Sequence, residues 1–321
     1  MYNLNKPVIL ILNKNNKCLV AEPEDQREFF SNEMVKDKLK FGKRYVIYSL
    51  KDNGPCADHD RKTGEGVQPQ EYTIIKMIVN KEKTNIFDSY QEDVFLAAAT
   101  LRPETMYGQT NYWIDPNITY GMYYFGQTEI IICSKFSALN LNNQGFKLDY
   151  IRDIKGSALI GIPVNSPLTS YSNIYGLPFP FIKEEKGTGI VTSVPSDSPH
   201  DYIAFKTIHK NKEYNIEEEW IPEIISFIEV ENYGNLMAEK ICQDLKIVSI
   251  SDKSKLEKAH DIVYTKGFYS GKLLSGVHSG KSVIEAKDII KKELVDSNQA
   301  FILNLPDETV ISRSDDKCIV K

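Results

Sequence analysis

Two stretches decide how this chain is read: Ala97–Gln109, AAATLRPETMYGQ, and, further along, Gly187–Tyr202, GTGIVTSVPSDSPHDY. Each sets threonines and a carboxylate directly beside an apolar run, the pattern by which a chain presents hydroxyls and charge at the rim of a sheet. In the first, Ala97, Ala98 and Ala99 end a strand with minimal side chains, which leaves room for a second backbone or a ligand. If the strand continues, Thr100 and Arg102 share a face, because side chains alternate. Pro103 cannot donate to the ladder and ends it. Glu104, Thr105 and Met106 then open a turn or short helix whose first N–H groups need partners. Taken alone, the segment is a strand-to-turn transition capped by the hydroxyl of Thr100 or Thr105.

In the second stretch Gly187 and Gly189 flank Thr188 in a turn that allows close backbone approach, and Ile190–Val194 reads as a strand. Ser196, Asp197, Ser198 and Pro199 make a further turn. Asp197 and Asp201 read either as caps ahead of a helix over Tyr202–Ile208 or as working carboxylates.

Outward from these stretches, strands are expected at Pro7–Leu12, Arg44–Ser49, Tyr72–Val79, Val94–Thr100, Glu129–Cys133 and Gly189–Val194. Amphipathic spacing predicts helices over Leu236–Leu245, Val283–Leu294 and Ser254–Tyr264, and a further one between Asp25 and Lys40. Strands that do not alternate regularly with helices argue against a doubly wound sheet. The expectation is an α+β fold, a β-barrel-like core decorated by helices.

The composition narrows the function classes. A hydrophobic share of 41% over 321 residues supports a sizeable core, and no apolar run has the length of a membrane span. The first residues lack the basic region and cleavage site of a signal peptide. Five cysteines, Cys18, Cys56, Cys133, Cys242 and Cys318, are scattered without a C-x-x-C pair, which suits a reducing cytoplasm, and the sequon at Asn117 is read as chance. The net charge of −5 argues against a broad grip on duplex nucleic acid but leaves a single-stranded 3′ end open. The basic runs Lys36–Arg44 and Lys287–Lys292 read as solvated faces.

Two motifs are decoys. Ser275–Ser282, SGVHSGKS, has three residues between Gly276 and Gly280 where a phosphate-binding loop needs four, so its Gly-Lys-Ser is expected to cap the helix that follows. Asp58-His59-Asp60 with Cys56 lacks a partner cluster at zinc spacing, so a charged loop and no metal are expected. The histidines form no evident triad, and His200 is expected at the surface.

Together with Cys56–Tyr72 (CADHDRKTGEGVQPQEY), Gly267–Gly271 (GFYSG) and Ser312–Val320 (SRSDDKCIV), the two opening stretches resemble the editing domain of eukaryotic cytosolic leucyl-tRNA synthetases. The resemblance runs from Leu39 onward, and Met1–Asp37 is the least family-like part. Arg-Pro-Glu-Thr is shared with the valyl enzymes, whereas Leu101 and V-P-S-D-S-P favour the leucyl branch. Leu101 stands where bacterial relatives carry a second threonine. The H-I-G-H and K-M-S-K-S signatures of the aminoacylation core are absent. A single editing domain over residues 1–321 is therefore expected, with residues 215–310 as family-specific helical and strand additions.

The resemblance implies post-transfer editing, the hydrolysis of tRNA(Leu) esterified with isoleucine, valine, methionine or norvaline. It implies that Asp201 pairs with the α-ammonium and that Thr105 is the size filter. Thr100 and Arg102, with the backbone around Leu101, would line the amino-acid and water side. Lys186, Thr192, Ser193, Val194 and Ser196 would contact the terminal adenosine or the pocket wall. No cofactor is implied in this domain; ATP and magnesium belong to the synthetic site of the parent enzyme. The implied partners are the 3′-terminal adenosine of tRNA(Leu) and the rest of that enzyme, with no membrane, for a cytoplasmic, monomeric domain. Two other readings stand beside it: a catalytically silent module binding a tRNA 3′ end or adenosine, and a valyl-type editing domain.

Overall fold

The computed structural model describes residues 10–12, 18–20, 44–211 and 213–321, which fall into two compact units, Met1–Arg44 and Tyr45–Lys321. In the first, Leu10–Leu12 pairs antiparallel with Cys18–Val20. The helix expected between Asp25 and Lys40 and the start of the strand expected at Pro7–Leu12 lie outside the described residues.

The second unit is built on six strands: β1 (Pro69–Val79), β2 (Asp93–Thr100), β3 (Asn111–Ile114), β4 (Pro163–Asn165), β5 (Ile174–Pro178) and β6 (Ile190–Ser193). They pair in the order β2-β6-β3-β5-β4-β1, and β1 returns to β2 with Thr73 opposite Thr100, so the ring closes. Closure leaves the ring without a free edge. A flap of three strands, Glu129–Cys133, Thr119–Phe125 and Leu148–Lys155, extends from the first half of β2, and Ala300–Pro306 runs along β1.

β2 explains its own composition. Val94, Leu96 and Ala98 point into the main core with Met77, Met106, Tyr112 and Ile190, while Ala97 and Ala99 point into a second core with Ile74, Ile131 and Leu303. A strand buried on both faces reads as a continuous apolar run. The alanines serve close approach: a Cβ on Gly187 would lie 2.7 Å from that of Ala99, and Gly187 sits at φ 62°, open to glycine.

Five helices decorate the barrel: α1 (Lys135–Asn143), α2 (Pro199–Thr207), α3 (Met237–Asp244), α4 (Lys253–Ser270) and α5 (Val283–Asp296). Ser282 caps α5 in a capping box with Glu285, so the Gly-Lys-Ser decoy is indeed a helix start. α4 outlasts the expected Tyr264 by six residues, buries Leu256, Ala259, Val263 and Gly267, and passes through the G-F-Y-S-G segment. Asp58–Asp60 is a single short turn with Asp58 paired to Arg61 at 2.7 Å. Among the described residues no helix is long and apolar enough to cross a membrane.

Candidate active site

β2 and β6 lie side by side and parallel, with Val191 opposite Ala99, so the segments that follow them leave from the same rim of the barrel. The two stretches that open the sequence reading are thereby brought together.

On the first segment the strand ends at Thr100, and Arg102 has left extended geometry with φ −131° and ψ 67°. The hydroxyl of Thr100 accepts the Arg102 N–H at 3.0 Å. Pro103 begins a short 3-10 helix, Pro103–Gly108, as its fixed φ favours at a first turn. Thr105 donates both its N–H, at 3.0 Å, and its hydroxyl, at 2.8 Å, to the Arg102 carbonyl. Both threonines therefore tie the turn. Leu101 is 38% exposed at its tip.

The chain at Arg102 is unusual for a rim. Its guanidinium is buried and its Nε donates to Glu104 Oε1 at 2.9 Å, while Glu104 is fully enclosed. Arg102 Nη2 and Glu104 Oε2 have no hydrogen-bond partner. A buried donor and a buried acceptor left open are costly unless a ligand or water completes them. Burial acts to lower the arginine pKa, but the Glu104 carboxylate, with Tyr264 and Asp197, outweighs it and leaves the pKa raised.

On the second segment Asp201 is half-buried and each of its oxygens accepts one hydrogen bond: Oδ1 the Trp113 indole N–H at 2.8 Å and Oδ2 the Val194 N–H at 2.9 Å. The cap of α2 is Ser198, so neither aspartate serves that purpose. Asp197 is buried and accepts the Ser196 hydroxyl at 2.6 Å. Burial pushes both carboxyls up to about 6; Arg102 opposes this most strongly at Asp197, and the Val194 N–H at Asp201. Thr192 and Ser193 are buried on β6, paired across from Tyr112 and Asn111. The Ser193 hydroxyl and Asn111 Nδ2 are further open polar atoms. Lys186 is half-exposed, 3.8 Å from Glu308, and its charge reaches His260.

α4 crosses above the rim. The Tyr264 ring lies 4.9 Å from the Arg102 guanidinium, stacks on His260 at 3.8 Å, and His260 meets His200 at 6.0 Å. His200, expected at the surface, is half-buried in this stack, and burial lowers its pKa. Glu104 and Trp113 complete the site without a role read for them from sequence, and Asp197, read there as either a cap or a working carboxylate, is buried beside Arg102 and does not cap the helix. Glu104 sits inside the first quoted stretch and reads as a turn residue. Tyr264 and His260 come from a distant helix and left no signal there.

The rim thus offers two hydroxyls, a buried arginine with a free N–H, and two carboxyls near their point of titration, suited to orienting a water and an ammonium-bearing ester.

Known proteins can now be set beside this geometry. No protein-family model matches the chain. The crystal structure of GlLeuRS-CP1 superposes with a TM-score of 0.65 at 38% identity, covering 72% of this chain and 97% of that one. This chain belongs to the leucyl-tRNA synthetase editing-domain family. The editing domain of the P. falciparum cytosolic leucyl-tRNA synthetase gives a TM-score of 0.67 at 25% identity, covering 73% of this chain and 99% of that one. A cytoplasmic leucine–tRNA ligase of Arabidopsis thaliana is 47% identical over 294 residues, which is 88% of this chain and 27% of that protein. The chain spans about a quarter of the length of such relatives. For an editing domain of this family, the closed barrel with helical additions is the expected α+β architecture.

Proposed function

We propose that this editing domain hydrolyses the ester of misacylated tRNA(Leu) and clears isoleucine, valine, methionine or norvaline while sparing leucine. The observation that carries the reading is the parallel pairing of β2 with β6, which sets the Thr100–Thr105 turn and the Val194–Asp201 segment on one rim. A synthetic pocket separates amino acids that differ by one methylene by only about 1–3 kcal/mol, so a second sieve is required. The ester is activated, and oriented hydroxyls and charges suffice to place the water.

In this reading the second lone pairs of the Asp201 oxygens receive the α-ammonium, a charge-assisted contact. Thr105 limits side-chain size, and Thr100, Leu101 and Arg102 line the amino-acid and water side. Thr192, Ser193, Val194, Ser196 and Lys186 meet the terminal adenosine or the wall around it. The tRNA body is held by the remainder of a parent synthetase in the cytoplasm, where ATP and magnesium serve another site.

Thr105→Ala tests the sieve in the full-length enzyme. The half-life of Leu-tRNA(Leu) is expected to shorten by about tenfold or more, the scale of one lost methylene-sized barrier. An unchanged half-life contradicts the assignment.

A further inference from the structure

We infer that Tyr264 of α4 is a positioning residue for editing, its ring holding the Arg102 guanidinium so that the free N–H edge faces the reacting ester. The inference rests on the editing reading above and adds to it a residue outside both motif stretches. Arg102 is restrained in two directions. Glu104 grips one edge at 2.9 Å, and the Tyr264 ring covers the face at 4.9 Å. Together they fix the plane of a side chain that otherwise has several free torsions. Nη2 is buried and has no acceptor, an N–H that a substrate oxygen can complete.

The rest of α4 is built around that placement. Tyr264 also stacks on His260, at 3.8 Å with the planes 26° apart, which restrains its ring. His260 in turn meets His200, the neighbour of Asp201, so one stack joins the threonine turn to the start of α2. One turn on from Tyr264, Gly267 lies beside the same group: a Cβ there would stand in ordinary contact with Nη2, at 3.7 Å. The contact uses the tyrosine ring and its quadrupole, which a desolvated cation strengthens.

The test measures kcat and KM for deacylation of Ile-tRNA(Leu) by the full-length protein carrying this domain. Tyr264→Met keeps the bulk and removes the ring; kcat is expected to fall about tenfold with KM nearly unchanged, the scale of a misplaced reacting group. Tyr264→Phe is expected to stay within about twofold, because the ring is retained. Arg102→Lys keeps the charge beside Glu104 and gives up the planar fork, and its loss is expected to shrink markedly when added to Tyr264→Met. Tyr264→Leu serves if the methionine variant melts early. Additive losses, or a phenylalanine variant as impaired as the methionine one, overturn the inference while leaving editing intact. A wild-type protein that deacylates no misacylated tRNA overturns both.

Discussion

The Thr105 hydroxyl fastens the turn to the Arg102 carbonyl, and the same anchoring fixes the position of the methyl proposed as the size limit. Asp201 makes a similar double use of its oxygens, bracing Val194 and Trp113 while keeping lone pairs for a ligand. Its titration gives a prediction with two readouts. The Asp197 and Asp201 carboxyls are held up to about 6 by burial, against 3.8 for an ordinary aspartate, so the folded state keeps these protons longer than the unfolded chain. Their contribution to stability is complete below pH 3.8 and is lost as pH rises through about 6. Denaturant titrations between those limits should show the Asp197→Asn variant losing stability less steeply with pH than the wild type. Editing runs the other way, since only the ionised Asp201 binds an ammonium. Deacylation, corrected for spontaneous hydrolysis, should fall as pH drops below about 6 in the wild type, and be low and flat in Asp201→Asn. A wild-type profile without that fall removes Asp201 from the ammonium role.

At the scale of elements, what the sequence revealed and what it hid have physical causes. β2 and Glu129–Cys133 were legible because β-branched, aromatic and alanine runs have no helical period, and their observed limits differ from the expected ones by one residue or none. Asn111–Ile114 and Ile174–Pro178 were not, since an asparagine, an internal glycine and terminal prolines read as turns; ring closure supplies the pairing that overrides them. Thr119–Phe125 hid behind Gly121 in the same way. The end of α4 was misread at Tyr264 because a glycine in a helix usually signals a stop, whereas here the helix runs through Gly267 and buries it. The site was therefore half visible: its strand ends were written in two short motifs, and its roof came from packing alone. The close approach at Gly187 gives the element-scale prediction. Gly187→Ala must adopt φ 62° and meet the Ala99 methyl, and should destabilise the domain by about 1–2 kcal/mol. Equilibrium unfolding measures it, and a stability equal to wild type would show that the turn can move away from β2 without cost.

At the scale of the molecule, the barrel rim and the helix that carries Tyr264 over it form the face to which editing is assigned in the proposal. The acidic net charge of −5 leaves little general hold on RNA, and in the proposed function most of the affinity is assigned to the rest of a parent enzyme. Selectivity is accordingly assigned, in the same proposal, to the rim, among Thr105, Arg102 and Asp201. The direct measurement compares deacylation of Ile-tRNA(Leu) and Leu-tRNA(Leu) by the full-length protein carrying this domain. The expected result is loss of the isoleucyl ester at least about tenfold faster than the leucyl ester. Equal loss of both esters, or of neither, would contradict a proofreading sieve at this rim.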